Sequence, residues 1–376
     1  MLFTNARVFF AERGFVSASF RVENGIFTDF LPPGTSEPGA VDLDGAWVIP
    51  GLIDIHTHGN CGVDFSDGDY EGLKTMAAFL LRHGVTGFAP ASMTLPYEVL
   101  DRAFFAAHRF CVEQPENCAR LLGIHMEGPF FSEKKKGAQN AAYLRMPDFV
   151  AFKKLYENCG GLIRIVDLAP ELPGAADFAE RASGFCTVSA AHTDASYEEA
   201  RAVYEAGASH LTHLFNAMPA IHHRRPGVIG AASERKNVYA ELICDGQHVH
   251  ESAVRMGFKL FPERICLISD SLRCCGMPDG EYELGGQAVF LADGIARLAD
   301  GTIAGSASTL FDCLRKAIAF GVDRDEAIRA ATLNPAKQLG CDDRFGSIAV
   351  GKRADFLVCG TALSLKTVYL GGGALQ

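Results

Sequence analysis

Residues 50–60 read PGLIDIHTHGN, an apolar run that ends in His56 and His58 with one threonine between them. Side chains at i and i+2 of a strand share a face, so both imidazoles project together where the strand leaves the core. A lone His-x-His is as often two polar residues at a strand end as a site. Other apolar runs end the same way. HMEGPF puts His125 and Glu127 on one face, AAHT ends in His192, THLFNA carries His213, DGQH ends in His248, and LISD ends in Asp270. Imidazole and carboxylate are zinc-type ligands, and a catalytic metal centre keeps one position open for water. A carboxylate such as Glu127 inside an apolar run needs a cation or several donors. His125 reads better as a hydrogen-bonded core histidine and His210 as a structural or surface group. His83 and His108 fall in helical stretches. The joint recurrence at strand ends points to a metal.

The elements that must position these groups are eight apolar, β-branched runs: 47–58, 84–92, 121–128, 163–171, 186–193, 210–217, 238–248 and 265–271. Amphipathic segments separate them, such as YEGLKTMAAFLLRHG and YEEARAVYEAG. The second has a capping box in Ser196 and Glu199, with Gly207 as its stop. Strands alternating with helices imply parallel pairing, and eight such units imply a closed (β/α)8 TIM barrel, whose chemistry sits at the C-terminal strand ends. Two more helical runs follow, near 308–320 and 324–339. Both chain ends carry short strand-like runs, neither able to bury a core alone. The expected division is therefore a small β-sandwich domain of 1–49 plus 342–376 around a catalytic barrel of 50–341. Residues 276–304 are turn-rich and strand-like, with no assigned place.

The 376 residues carry a formal net charge of −10 with 48% hydrophobic and 21% charged residues. That balance describes an ordinary globular protein and argues against a general nucleic-acid or anionic-membrane surface. Basic clusters such as EKKKG (133–137) and HHRRPG (222–227) could still receive a small anion. No signal-peptide pattern opens the chain and no apolar run reaches spanning length. The twelve cysteines form no Cys-x-x-Cys pair. Reduced, mostly buried thiols and a cytoplasmic location are expected.

PGLIDIHTHG, GIHMEGPF, KKGAQN, AHTDA, THLFNAM, RRPG, DGQHVH, LISDS, AGSASTL and GSIAVGKRADFLV together resemble the amidohydrolase superfamily, and within it the N-acetylglucosamine-6-phosphate deacetylases. His-x-His and the closing Gly-Lys-x-Ala-Asp run mark only the superfamily; HMEGPF and THLFNAM are more specific. Many superfamily members bridge their metals with a modified lysine, and no lysine ends strand four here. The resemblance implies Glu127, His192 and His213 as main ligands of a divalent ion, zinc ahead of iron. It implies His56 and His58 as ligands of a second ion, or idle if only one is bound per subunit. It implies Asp270 as the catalytic aspartate. Ala138, Gln139, Asn216, Ala217 and His248 would contact substrate, and Arg224 its phosphate, across a homodimer interface. Ser271, Cys274 and Cys275 follow Asp270 where smaller or apolar residues are the pattern.

The reaction implied is deacetylation of N-acetyl-D-glucosamine 6-phosphate to D-glucosamine 6-phosphate and acetate, in amino-sugar catabolism, with no nucleic-acid or membrane partner. The competing readings are another metal amidohydrolase, acting on a cyclic amide or an N-acyl amino acid, and a catalytically silent scaffold. A silent relative would have lost ligands or the aspartate, and this chain keeps them all.

Overall fold

The computed structural model describes residues 1–375. Eight parallel strands form the barrel: β1 (Leu52–Thr57), β2 (Val85–Pro90), β3 (Ile124–Phe130), β4 (Ile163–Leu168), β5 (Thr187–Ala190), β6 (His210–Leu211), β7 (Tyr239–Ile243) and β8 (Ile265–Ile268). Strands β3 to β8 pair in sequence order. A parallel bridge between Ala91 and His125 joins β2 to β3. The Asp270 amide donates to the His56 carbonyl at 2.9 Å and closes β8 onto β1. One helix follows each strand: α1 (Tyr70–Arg82), α2 (Tyr97–Glu113), α3 (Phe149–Asn158), α4 (Ala175–Ala182), α5 (Tyr197–Glu205), α6 (Gly227–Ser233), α7 (Glu251–Leu260) and α8 (Leu310–Ala319). The capping box at α5 forms as read, with Ser196 and Glu199 satisfying each other's backbone N–H.

The run 47–58 is two strands rather than one. Trp47–Pro50 pairs antiparallel with Phe356–Cys359 in the terminal sheet, and β1 starts after Gly51. Gly51 marks the crossing because a Cβ there would lie 2.0 Å from Thr86 Oγ1, and Gly59 because one would lie 2.1 Å from the Val63 carbonyl oxygen. Both glycines flanking the histidine pair answer to close packing. The expected helix over 324–339 is also two, Arg324–Ala330 and Leu333–Gln338. Pro335 cannot donate within a helix interior, so it falls in the first turn of a new one. Ala336, Leu339 and Cys341 pack there with Ile53, Ile165 and Ile243.

Strands from both chain ends make one eight-stranded sheet. It curls until residues 25–27 meet 352–354, with Phe27 N–H donating to Lys352 O and Ala354 N–H to Gly25 O, each at 2.9 Å. Phe3, Phe20, Phe27, Phe356 and Tyr369 fill the space between its two layers. This is the β-sandwich expected from the termini. Most of the segment 276–304, to which the sequence assigns no place, lies in a four-stranded antiparallel sheet of residues 280–306 between β8 and α8. Its last strand returns to the end of β8, where the Ser306 amide donates to Asp270 O at 2.8 Å. No disulfide forms among the described residues, and most of the cysteines are buried. No helix among them is long and apolar enough to cross a membrane.

Candidate metal centre and active site

Glu127, near the end of β3, is the hub. Its Oε1 lies 3.0 Å from His192 Nε2 and 3.3 Å from His213 Nε2, and those two nitrogens are 3.0 Å apart. The Glu127 Oε2 lies 3.3 Å from His58 Nε2. His56 Nε2 is 3.6 Å from Glu127 Oε1 and 3.7 Å from Asp270 Oδ1, and His58 Nε2 is 3.3 Å from the same Asp270 oxygen. All of these side chains are buried.

The far nitrogen of each ring is fixed. His192 Nδ1–H donates to Lys135 O at 2.9 Å, His213 Nδ1–H to Asn216 O at 3.2 Å, His58 Nδ1–H to Ala91 O at 3.1 Å, and His56 Nδ1–H to Glu241 Oε2 at 2.9 Å. In the neutral form that a metal ion takes, rings so held turn lone pairs, not protons, toward Glu127. Convergent lone pairs repel unless a cation stands among them. His56 Nε2, moreover, is buried with no hydrogen-bond partner. These donors fit a divalent ion, and two groups of three can each hold one: Glu127 with His192 and His213, and His56 with His58 and Glu127. The centre can thus take one ion or two.

A third group, His56, His125 and Glu241, comes as close. It lacks the lone pairs: His125 Nδ1 faces Ile55 O at 2.9 Å and its Nε2 faces Asp167 Oδ1 at 2.9 Å, so both nitrogens meet acceptors. The core reading of His125 holds, as does the structural reading of His210, buried and bonded to Glu241 at 3.2 Å.

The electrostatics are those of a charge-dense, dry site. With protons rather than an ion between these groups, burial pushes the Glu127 carboxyl up, but the charge of a protonated His56 and the hydrogen bonds of His192 and His213 outweigh it and hold it well below the carboxylate range. Burial also pushes Asp270 up, and the His58 hydrogen bond with the charges of His56 and His58 brings it below its ordinary value. His56 moves oppositely: burial lowers it, and the carboxylates of Glu241 and Glu127 raise it well above the usual imidazole value. The backbone is strained where the chemistry converges. His192, His213 and Asp270 adopt φ of 43°, 29° and 48°, a region non-glycine residues rarely enter and keep only where the surroundings enforce it.

A cavity of about 180 Å³ opens over the centre, lined by His58, Glu127, His192, His213 and Asp270, and by Ala138, Gln139, Asn216, Ala217 and His248. His248 Nδ1–H donates to Asp245 Oδ2 at 2.7 Å, which leaves Nε2 for the cavity. Burial would raise the Asp245 carboxyl, yet its bond to His248, that ring's charge and two backbone amides take it to about 2. Gln139 spends both ends of its amide: Nε2 donates to Glu127 Oε2 at 2.8 Å and Oε1 accepts the Thr94 amide at 2.7 Å. Arg224 is not in the cavity. It is exposed on the loop before α6 and touches His223 at 2.6 Å. The sequence did not point to Met93, which lines the cavity from the loop after β2, or to residues 302–305, which line it from the inserted sheet.

The amidohydrolase family model matches residues 47–374. N-acetylglucosamine-6-phosphate deacetylase of Bacillus subtilis (strain 168) is 39% identical over 316 residues, 83% of this chain and 80% of that protein. N-acetylgalactosamine-6-phosphate deacetylase of Escherichia coli O157:H7 is 33% identical over 370 residues, 98% and 97% of the two chains. The structure of a Mycobacterium smegmatis N-acetyl-D-glucosamine-6-phosphate deacetylase mutant in complex with N-acetyl-D-glucosamine-6-phosphate superposes with a TM-score of 0.93 at 31% identity, covering 100% of this chain and 98% of that one. With a metal-binding centre at the C-terminal mouth of its barrel, the chain belongs to the amidohydrolase family and, within it, to the N-acetylglucosamine-6-phosphate deacetylases.

Proposed function

We propose that this chain hydrolyses the acetamide of N-acetyl-D-glucosamine 6-phosphate, giving D-glucosamine 6-phosphate and acetate. The observation that carries the reading is the convergence of four imidazoles and two carboxylates at the base of a cavity that His248 also lines, in a chain whose relatives are named for this reaction. Glu127, His192 and His213 would hold one divalent ion, zinc in preference to iron, and His56 and His58 with Glu127 would hold a second, or stand idle where a single ion is bound. When bound, a divalent ion lowers the pKa of water from 15.7 to about 7 and polarises a carbonyl. Asp270 accepts the water proton on its carboxylate and returns it to the departing amine, acting as base and then as acid. His248, oriented by Asp245, offers Nε2 to the substrate. Asn216 and Ala217, which follow the turn at His213, meet the sugar together with Ala138 and the 302–305 strand. Gln139 braces Glu127 and, from the cavity wall, meets the substrate as well. The catalytic unit is 50–341, with 1–49 plus 342–376 as the sandwich domain, a division supported by the break at Gly51.

The phosphate is bound by Arg224 in this reading. Because its own cavity lies elsewhere, Arg224 acts on the site of a second copy, in a homodimer working in the cytoplasm. The assay is acetate release from N-acetylglucosamine 6-phosphate, its galacto epimer and unphosphorylated N-acetylglucosamine. Turnover of the phosphosugar well above the free sugar is expected, and equal rates on both would refute phosphate recognition. Hydrolysis of dihydroorotate or an N-acyl amino acid in place of the sugars would favour the other amidohydrolase reading. Arg224→Ala should raise KM for the phosphosugar ten- to a hundredfold, since a charge-assisted bond contributes about 1.5–3 kcal/mol. Arg224→Lys should recover only part of it, because a point charge cannot replace the planar fork. An unchanged KM in Arg224→Ala would move the phosphate site.

A further inference from the structure

Glu241 lies on β7, below the cavity and fully buried, and no step above uses it. A buried carboxylate is costly unless donors satisfy it. Three do so here. Its Oε2 accepts His56 Nδ1–H at 2.9 Å and the backbone N–H of His213 at 3.2 Å, and its Oε1 accepts His210 Nε2–H at 3.2 Å. The Leu214 amide also donates to the Glu241 carbonyl at 2.8 Å, so side chain and backbone both grip the turn that carries His213.

We infer that Glu241 is a positioning residue that fixes His56 as a metal ligand and ties it to the strained turn at His213. The inference rests on the reading of His56 as a ligand. The bond from Nδ1–H to the carboxylate sets the tautomer, leaving the lone pair on Nε2, the buried atom without a partner that faces Glu127 and Asp270. It also sets the ring plane, since a 2.9 Å bond to a buried acceptor allows little rotation. One carboxylate therefore supports a ligand from each half of the centre: His56 through its ring, and His213 through the backbone whose φ of 29° needs external support. A residue that merely filled space on this face of β7 would be apolar, like Ile243 two positions on.

The test compares wild type, His56→Gln, Glu241→Gln and Glu241→Leu as full-length chains. Zinc affinity is read by chelator competition, and the zinc-loaded proteins, labelled with 15N-histidine, are read by NMR. The wild type should show a downfield, slowly exchanging Nδ1 proton that vanishes in His56→Gln. Glu241→Gln, a near-isostere, should move that proton upfield and weaken zinc binding about tenfold; Glu241→Leu should weaken it about a hundredfold, the span expected for partners of metal-bound histidine. Where Glu241→Leu does not fold, Glu241→Gln decides alone. Unchanged affinity and an unmoved Nδ1 proton in Glu241→Gln would overturn the inference, whatever its melting temperature, provided His56→Gln weakens binding. If His56→Gln itself binds zinc as the wild type does, the ligand reading of His56 falls, and this inference with it.

Discussion

Asp270→Asn is expected to keep its metal and lose roughly 10²–10⁴ in kcat, the usual contribution of a positioned acid–base group. Asn has the same shape and cannot accept a proton. The carboxylate stands 3.3 Å from His58 Nε2 and is the group from the end of β8 that lines the cavity beside the centre. As a carboxylate it is the form that can accept the proton. The effect should fall on kcat, with substrate affinity changed far less, because Asp270 handles a proton that moves only during reaction. Product analysis of acetate and metal content measured together decide it. Near-normal kcat with metal retained would assign the proton transfer to another group. His125 is a poor substitute, since both of its nitrogens are engaged below the cavity.

The barrel was legible because its units are local: an apolar run, a capped amphipathic helix, a glycine stop. The positions of His56, Glu127, His192, His213, His248 and Asp270 followed from one rule, that barrel chemistry gathers at C-terminal strand ends. What was not legible depends on contacts between distant segments. The 280–306 sheet reads as alternating strands with no partner named, and only Ser306 docking on the Asp270 segment brings 302–305 over the site. The single run over 47–58 looked continuous because apolar patterning does not register a change of sheet; the signal available was Pro-Gly at 50–51. Glu241 could have been flagged by the reasoning that flagged Glu127, a carboxylate inside an apolar strand. Its role required knowing that barrel closure brings Glu241 on β7 within 2.9 Å of the His56 ring on β1, a fact of closure rather than of local sequence. Arg224 was legible as a basic cluster, but its distance from its own cavity emerges only in three dimensions.

The largest loss is expected for Glu127→Ala. Its two oxygens reach both halves of the centre, Oε1 toward His192 and His213 and Oε2 toward His58, so a single truncation removes a donor from each candidate ion. Metal content should fall below measurable stoichiometry after dialysis, and activity should fall further than in Asp270→Asn, because water then keeps a pKa near 15.7 instead of about 7. The fold should survive. Glu127 faces the cavity at the barrel mouth, while the apolar contacts that hold β3, from Ile124, Met126 and Phe130, lie in the core between barrel and helices. His56→Ala and His58→Ala offer the graded comparison: if either lowers metal per subunit yet leaves substantial turnover, the ion shared with His192 and His213 does the chemistry and the second is accessory. A Glu127→Ala protein with full metal content would break the assignment at its hub, since no other carboxylate lies within reach of both His192 and His58 in these groups of ligands.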